Sequence, residues 1–209
     1  MKKVAKVAVF LLSLVPLGYF VWGALTDGLG PNPIEAITRG TGDWTIRFLL
    51  ITLAITPARK LLGRPELIRY RRMLGLFAFF YGFLHLVTWV WLDKFFDLGE
   101  MWKDVAKRKF ITIGMLAFVA MVPLAITSTA GWIRRMGGKR WQALHRLIYL
   151  SVIGGVIHYW WLVKSDIRSP AMYGVIAAVL LALRLVLRNR KAAVAPKRTS
   201  GNTVAAGSA

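Results

Sequence analysis

Two of the three histidines in the chain, His145 and His158, lie in one apolar stretch, residues 141–161, which carries no formal charge from Leu147 onward. Ionisable side chains at membrane depth are costly and are kept for a use. Thirteen residues along one helix would separate the two imidazoles by about 20 Å, near opposite faces of a hydrocarbon layer about 30 Å thick. That is the spacing of two metal centres stacked across a bilayer. The third histidine, His85, lies thirteen residues beyond Arg72, and His158 lies twelve beyond Arg146, so the two imidazoles reach the same depth from one basic face. Neutral imidazoles on two helices of a bundle can ligate one haem iron from opposite sides. The other use of such a histidine is a hydrogen-bonded core residue. Gly82 and Gly155 each stand three residues before a member of the pair. Lacking a β-carbon, they would let the backbone approach a flat macrocycle, although ordinary small-residue helix packing explains them equally well.

At the inner level His145 has no second histidine. Counting back from His85, fourteen residues lead to Arg71 and thirteen to Arg72. Fourteen residues turn a helix by about 1400°, leaving Arg71 within about 40° of the His85 face, while thirteen leave about 220°, the offset between His145 and His158. Both arginines remain candidates to pair with haem propionates or to fill the vacant ligand position, and both also read as topology charges. The residues predict one outer haem and leave a second, inner one open.

The elements that must position these groups are membrane spans. Of 209 residues 56% are hydrophobic and 18% charged, with positive mean hydropathy, which suits a membrane protein and not a soluble domain. Cysteine is absent, so this chain can hold no disulfide, thiolate metal site or iron–sulfur cluster. Six apolar segments predict an all-α bundle with six transmembrane helices: residues 7–25, 44–62, 73–92, 110–129, 141–161 and 170–187. The first could be a signal peptide, but no small-x-small site closes it, and it reads as a retained span. Residues 26–43 read as a polar turn region rich in glycine and proline, and 93–109 as a mixed-charge surface helix. The domain expectation is a cytochrome b-like membrane unit over 1–187, then a basic, disordered tail over 188–209.

Twenty of the 29 lysines and arginines fall in the N-terminus, the loops after the second and fourth spans, and the chain from Arg184 onward, all on one side of a six-span topology. Of the nine acidic residues only Glu66 shares that side. The positive-inside rule then places both termini in the cytoplasm. The net charge of +20 is a topology signal suited to an anionic leaflet, and nucleic acid is not an expected partner. Trp22, Trp44, Trp89, Trp91, Trp160 and Trp161 cluster at outer ends and Trp132 and Trp141 at inner ones, as an aromatic belt requires.

Four stretches carry a family likeness: Tyr70-Arg71-Arg72-Met73-Leu74-Gly75-Leu76 leading to His85, Phe110-Ile111-Thr112-Ile113-Gly114, Pro123-Leu124-Ala125-Ile126-Thr127-Ser128, and Trp141-Gln142-Ala143-Leu144-His145-Arg146-Leu147 leading to His158. Together they resemble the MsrQ (YedZ) family of the ferric reductase-like transmembrane group over nearly the whole chain except the tail. The resemblance implies a haem b subunit in a bacterial inner membrane, with His85, His145 and His158 at haem-ligand positions. It also implies FMN as a second cofactor, electrons from the quinone pool, and a periplasmic molybdopterin partner, MsrP, that reduces methionine sulfoxide in oxidised envelope proteins. Catalysis would then reside in the partner. No G-x-G-x-x-G turn occurs and only about 22 residues follow the last span, so electrons are expected from membrane quinol or from a flavoprotein docking on the basic face. Residue types identify no FMN site. The segment 93–109 is the expected docking surface for the partner. Two rivals predict different behaviour: a direct ferric reductase would need no partner, and a histidine-relay proton channel or transporter would be colourless.

Overall fold

The computed structural model describes residues 2–194, and every regular element among them is helical. The helices are α1 (Lys2–Leu25), α2 (Pro33–Leu61), α3 (Ile68–Val87), α4 (Leu98–Lys107), α5 (Lys109–Ile126), α6 (Ala130–Met136), α7 (Gly138–Leu144), α8 (Leu147–Leu162) and α9 (Arg168–Val194). A 3-10 turn (Pro65–Leu67) leads into α3, and a π-helical turn (Thr88–Asp93) follows it. Four segments are long and apolar enough to cross a membrane: Lys3–Leu25, Pro65–Asp93, Lys109–Ile126 and Arg168–Leu187. The chain is therefore an all-α, multi-pass membrane protein. The other two expected spans are also helical, as the 29-residue α2 and the 16-residue α8. Helix α9 continues past Leu187 to Val194, and the rest of the expected tail lies outside the described residues.

Two departures from the sequence reading bear most on the site. Helix α2 starts at Pro33, inside the stretch expected to be a turn. Asn32 caps it by accepting from the Glu35 amide at 3.2 Å while its own amide donates to the Glu35 carboxylate at 3.0 Å, and Pro33 brings a helix-ready φ. The fifth predicted span is interrupted at His145–Arg146, where the Arg146 amide turns back to the Ala143 carbonyl at 3.1 Å. The end of α7 is tied to the end of α5 there: the Trp141 indole donates to the Thr127 carbonyl at 2.9 Å, and the His145 ring stacks on Trp141 at 3.8 Å. His145 and His158 therefore do not share one continuous helix.

The helices pack most extensively as two pairs, α2 with α3 and α5 with α8, and α9 closes against α2 and α8. Phe48 of α2 stacks on Tyr81 of α3 at 5.4 Å, beside fully buried Leu49, Leu53 and Val152. Helix α1 attaches more thinly, through Phe10 against Phe77 at 5.3 Å and through the Tyr81 hydroxyl. One residue after Pro16, that hydroxyl sits inside the α1 backbone ladder. It donates to the Ser13 carbonyl at 2.8 Å and accepts from the Leu17 amide at 3.2 Å, bridging a pair that would bond directly in an unbroken helix. Tyr81→Phe is expected to cost about 1–3 kcal/mol, the range for stranding buried polar groups, with the loss concentrated in α1. Faster protease cleavage of α1 at unchanged overall helicity would record it.

Candidate functional site

His85 is presented by α3 and His158 by α8, one from each of the two helix pairs. The structure brings them together: their ring centroids lie 6.0 Å apart with planes at 80°. Each ring is held through Nδ1 by a backbone carbonyl of the partner helix in its pair. His85 Nδ1 donates to the Thr38 carbonyl of α2 at 2.8 Å, and His158 Nδ1 donates to the Phe110 carbonyl of α5 at 2.6 Å. With Nδ1 carrying the proton, Nε2 is left with its lone pair in both rings, the state in which imidazole ligates a metal.

The two carbonyls are reachable for the same local reason. Four residues after Thr38 stands Gly42, and four residues after Phe110 stands Gly114, so each glycine lies one turn above the accepting carbonyl on the same helix face. A β-carbon at Gly42 would meet His85 Nδ1 at 3.1 Å, and one at Gly114 would meet His158 Nδ1 at 2.5 Å. Glycine is thus what lets each ring dock against its neighbour's backbone. The sequence reading had singled out Gly82 and Gly155. Gly82 faces Thr45 and the Phe118 ring at ordinary packing distance, and the space around Gly155 is open.

The separation of the rings fits an iron between them. A metal–nitrogen bond of about 2 Å on each side, with each ring centre a further ~1.1 Å behind its nitrogen, would set the centres about 6.2 Å apart. Among the described residues no group of three or more histidine, cysteine, aspartate or glutamate side chains could cage an ion. A two-imidazole pair without further protein ligands is the donor set of a metal whose remaining positions are filled by a macrocycle.

Beside the pair lies a polar cluster that the sequence reading did not single out. Arg47 donates to the Tyr173 hydroxyl at 2.9 Å, lies 3.6 Å from Asp43, and rests over the Trp44 ring at 4.8 Å. The i, i+4 spacing of Asp43 and Arg47, immediately after Gly42, was the available signal.

The other candidates occupy the opposite end of the bundle. His145 Nε2 bonds the Thr127 hydroxyl at 3.1 Å, and that hydroxyl in turn donates to the Pro123 carbonyl at 2.6 Å. The nitrogen that is free in the outer rings is therefore engaged here. Arg71 is half-buried on α3, in the neighbourhood of His145, Arg184 and Tyr149. Arg72 is exposed and turns to the groove between α1 and α3. The arginines that the helical count left equivalent are thus separated, and the described residues bring no second imidazole to His145.

A glycine test follows from the docking geometry. Gly114→Ala is expected to push the His158 ring off the Phe110 carbonyl and, if His158 is a haem ligand, to lower haem retention about tenfold or more, the usual effect of losing a partner behind a metal ligand. Gly155→Ala, adding a methyl in open space, is expected to stay within about 0.5 kcal/mol of the parent in stability and to keep its haem. Haem per chain, measured on both proteins side by side, decides it.

The family model described as "Ferric reductase like transmembrane component" matches residues 41–156, an interval that includes all three histidines, Gly42 and Gly114. Relatives are similar over most of their length. A protein of Herminiimonas arsenicoxydans is 57% identical over 182 residues, covering 86% of this chain and 84% of its own. One from Azospira oryzae is 50% identical over 196 residues, covering 93% and 84%, and one from Rhodospirillum rubrum is 50% identical over 196 residues, covering 93% and 94%. All three are named protein-methionine-sulfoxide reductase heme-binding subunit MsrQ.

Proposed function

Because the chain belongs to the ferric reductase-like transmembrane family and, within it, to the MsrQ group, we propose that it is the haem b subunit of a methionine sulfoxide reductase system. It carries electrons across a bacterial inner membrane to a periplasmic molybdopterin reductase of the MsrP type, for repair of oxidised periplasmic proteins. The observation that carries this reading is the His85–His158 pair, 6.0 Å apart with both Nδ1 atoms tied to backbone. Haem, when bound there, supplies reversible one-electron chemistry. The protein's own part is to hold two imidazoles in one tautomer and one orientation between its two helix pairs. Catalysis on the sulfoxide belongs to the partner.

In this reading six helices span, with both termini on the basic cytoplasmic side, and electrons enter there from quinol or a soluble flavoprotein. FMN, carried over from the family likeness, is checked by acid extraction of the purified protein: about one flavin per chain supports it and none removes it. The decisive experiment pairs a visible spectrum with reconstitution. A haem b spectrum reoxidised only when the periplasmic reductase and methionine sulfoxide are both present supports the proposal. A colourless protein would favour a proton pathway, and reoxidation by ferric chelate alone would favour a direct ferric reductase.

The docking surface proposed for that partner is the segment 93–109. It links the π turn after His85 to the first turn of α5, so it covers the outer ends of the elements that hold both rings. Asp104 anchors it, at 2.7 Å from Lys94 Nζ and 3.2 Å from Arg108 Nε, and the hydrogen bond to Asp104 raises the pKa of Lys94 so that the pair stays charged. Phe95 and Phe96 are held at φ of +48° and +61°, a conformation costing about 1–2 kcal/mol per residue. Together with Leu98 and Trp102 they stand largely exposed. Strain that keeps aromatic rings in the open is typical of a binding surface. Replacing Phe96 and Trp102 with serine, or neutralising Asp97 and Glu100, is expected to slow reoxidation by the partner about tenfold, roughly 1.4 kcal/mol of docking energy. The haem spectrum should not change. Unaltered delivery by both variants would remove this surface from the proposal.

A further inference from the structure

At the basic end of the bundle, a groove of about 590 Å³ lies between α1 and α3, with the paired Phe10 and Phe77 rings in its lining. Its rim carries three cations, Lys6 from α1 and Arg69 and Arg72 from α3, while its depth is lined by apolar side chains that include Phe10, Leu76 and Phe80. Arg69 donates through Nε to the Glu66 carbonyl at 2.9 Å and rests over the Tyr70 ring at 5.6 Å, leaving both Nη groups without a hydrogen-bond partner among the described residues. Among the described residues none of the three cations has an acidic partner, as is true of the other cations at this end of the bundle. Eight residues of α3 separate Arg72 from Phe80, so the apolar lining runs about 12 Å from the charged rim into the bilayer. That is most of one leaflet's hydrocarbon depth, about 15 Å.

We propose that this groove is a binding site for one anionic phospholipid, with its phosphate on Lys6, Arg69 and Arg72 and an acyl chain lying along Phe10, Leu76 and Phe80. Three positive charges lining one groove at the headgroup level, with no acidic partner among the described residues, select negative over zwitterionic lipid, and the aromatic and aliphatic lining takes the chain. A quinol would fit the apolar depth, but its oxidation releases protons, and the lining offers no carboxylate or imidazole to accept them. The lipid would complete the attachment of α1, the most thinly attached of the long helices. This site is independent of the haem reading and stands or falls separately from it.

The test is native mass spectrometry of the full-length protein as purified, titrated with phosphatidylglycerol or phosphatidylcholine. The parent is expected to retain phosphatidylglycerol about tenfold better, a difference of about 1.4 kcal/mol. The triple variant K6Q/R69Q/R72Q should retain both lipids equally. Leu76→Trp, which keeps every charge but fills the groove, should show the same loss, so the result does not hang on one variant folding. R134Q/R135Q, which removes two charges from the same end outside the groove, should behave as the parent. The proposal is overturned by equal retention of the two lipids by the parent, by undiminished retention in Leu76→Trp, by a loss in R134Q/R135Q as large as in the triple variant, or by a co-purifying quinone that phosphatidylglycerol does not displace.

Discussion

Alanine at His158 or at His85 is expected to yield a membrane-inserted chain that retains less than about a tenth of the parent's haem at the outer position, since in the proposed function each imidazole would supply half of the protein's ligation there. The two single variants should be nearly as severe as the double, because one imidazole without its opposite loses most of the grip. The cost to the fold itself should be small. Each substitution removes one hydrogen bond to a carbonyl, worth about 1 kcal/mol net, and both rings are only half-buried. Haem-to-protein ratio and helicity measured on the same samples separate ligand loss from unfolding. His145→Ala belongs in the same series, because it reads the haem count. The Thr127 hydroxyl already occupies its Nε2, which favours a ratio unchanged by that substitution. A ratio that starts at two and falls to one would instead establish an inner haem ligated at His145. Full haem retention in both His85→Ala and His158→Ala would remove the basis of the electron-carrier reading.

The shared depth of His85 and His158 was legible in the sequence because membrane spans begin at a basic boundary, and equal counts from that boundary give equal heights. A helix within residues 93–109 was legible too, as a mixed-charge run between apolar segments, although it covers only Leu98–Lys107. What lies behind the ligands was not. The Thr38 and Phe110 carbonyls are backbone groups of other helices, and no side-chain pattern around His85 or His158 names them. Only the repeat of glycine four residues after each carbonyl, at Gly42 and Gly114, marks the sites, and it gains meaning once α2 is known to pair with α3 and α5 with α8. The start of α2 was obscured by the glycines and prolines around Asn32, which are turn signals unless the Asn-Pro-x-Glu cap is read first. The break at His145 depends on Trp141 and Thr127 meeting across two helices, a contact with no periodic signature. Arg184 was counted among the topology charges, and at that level its role inside the bundle could not be seen.

That role supports the second large prediction. Pro57 has no amide hydrogen, so the Leu53 carbonyl one turn earlier has no partner in α2, at a position where Leu53 is fully buried. Arg184 of α9 supplies it: Nε and Nη2 donate to that carbonyl at 3.0 and 2.7 Å, Nη2 also reaches the Thr56 hydroxyl at 3.2 Å, and Nη1 donates to the Tyr149 hydroxyl of α8 at 3.1 Å. One guanidinium thereby pins α9 to α2 and α8 at a carbonyl that proline left open. Arg184→Leu is expected to destabilise the bundle by about 2–3 kcal/mol, chiefly by stranding the carbonyl. Arg184→Lys should recover only part of this, since one ammonium cannot span the three acceptors. Pro57→Ala restores an amide to α2 and should do little in the parent, where Arg184 already serves the carbonyl. In the Arg184→Leu background it should return about 1 kcal/mol, a coupling that a double-mutant cycle measures directly. Equilibrium unfolding of the four proteins in mixed micelles gives that number, and strict additivity would show that Arg184 acts through something other than the proline gap. Because α2 also carries Thr38 and Gly42, and α8 carries His158, a loosened α9 should lower haem retention in proportion to the stability lost, and the Pro57→Ala rescue should restore both together.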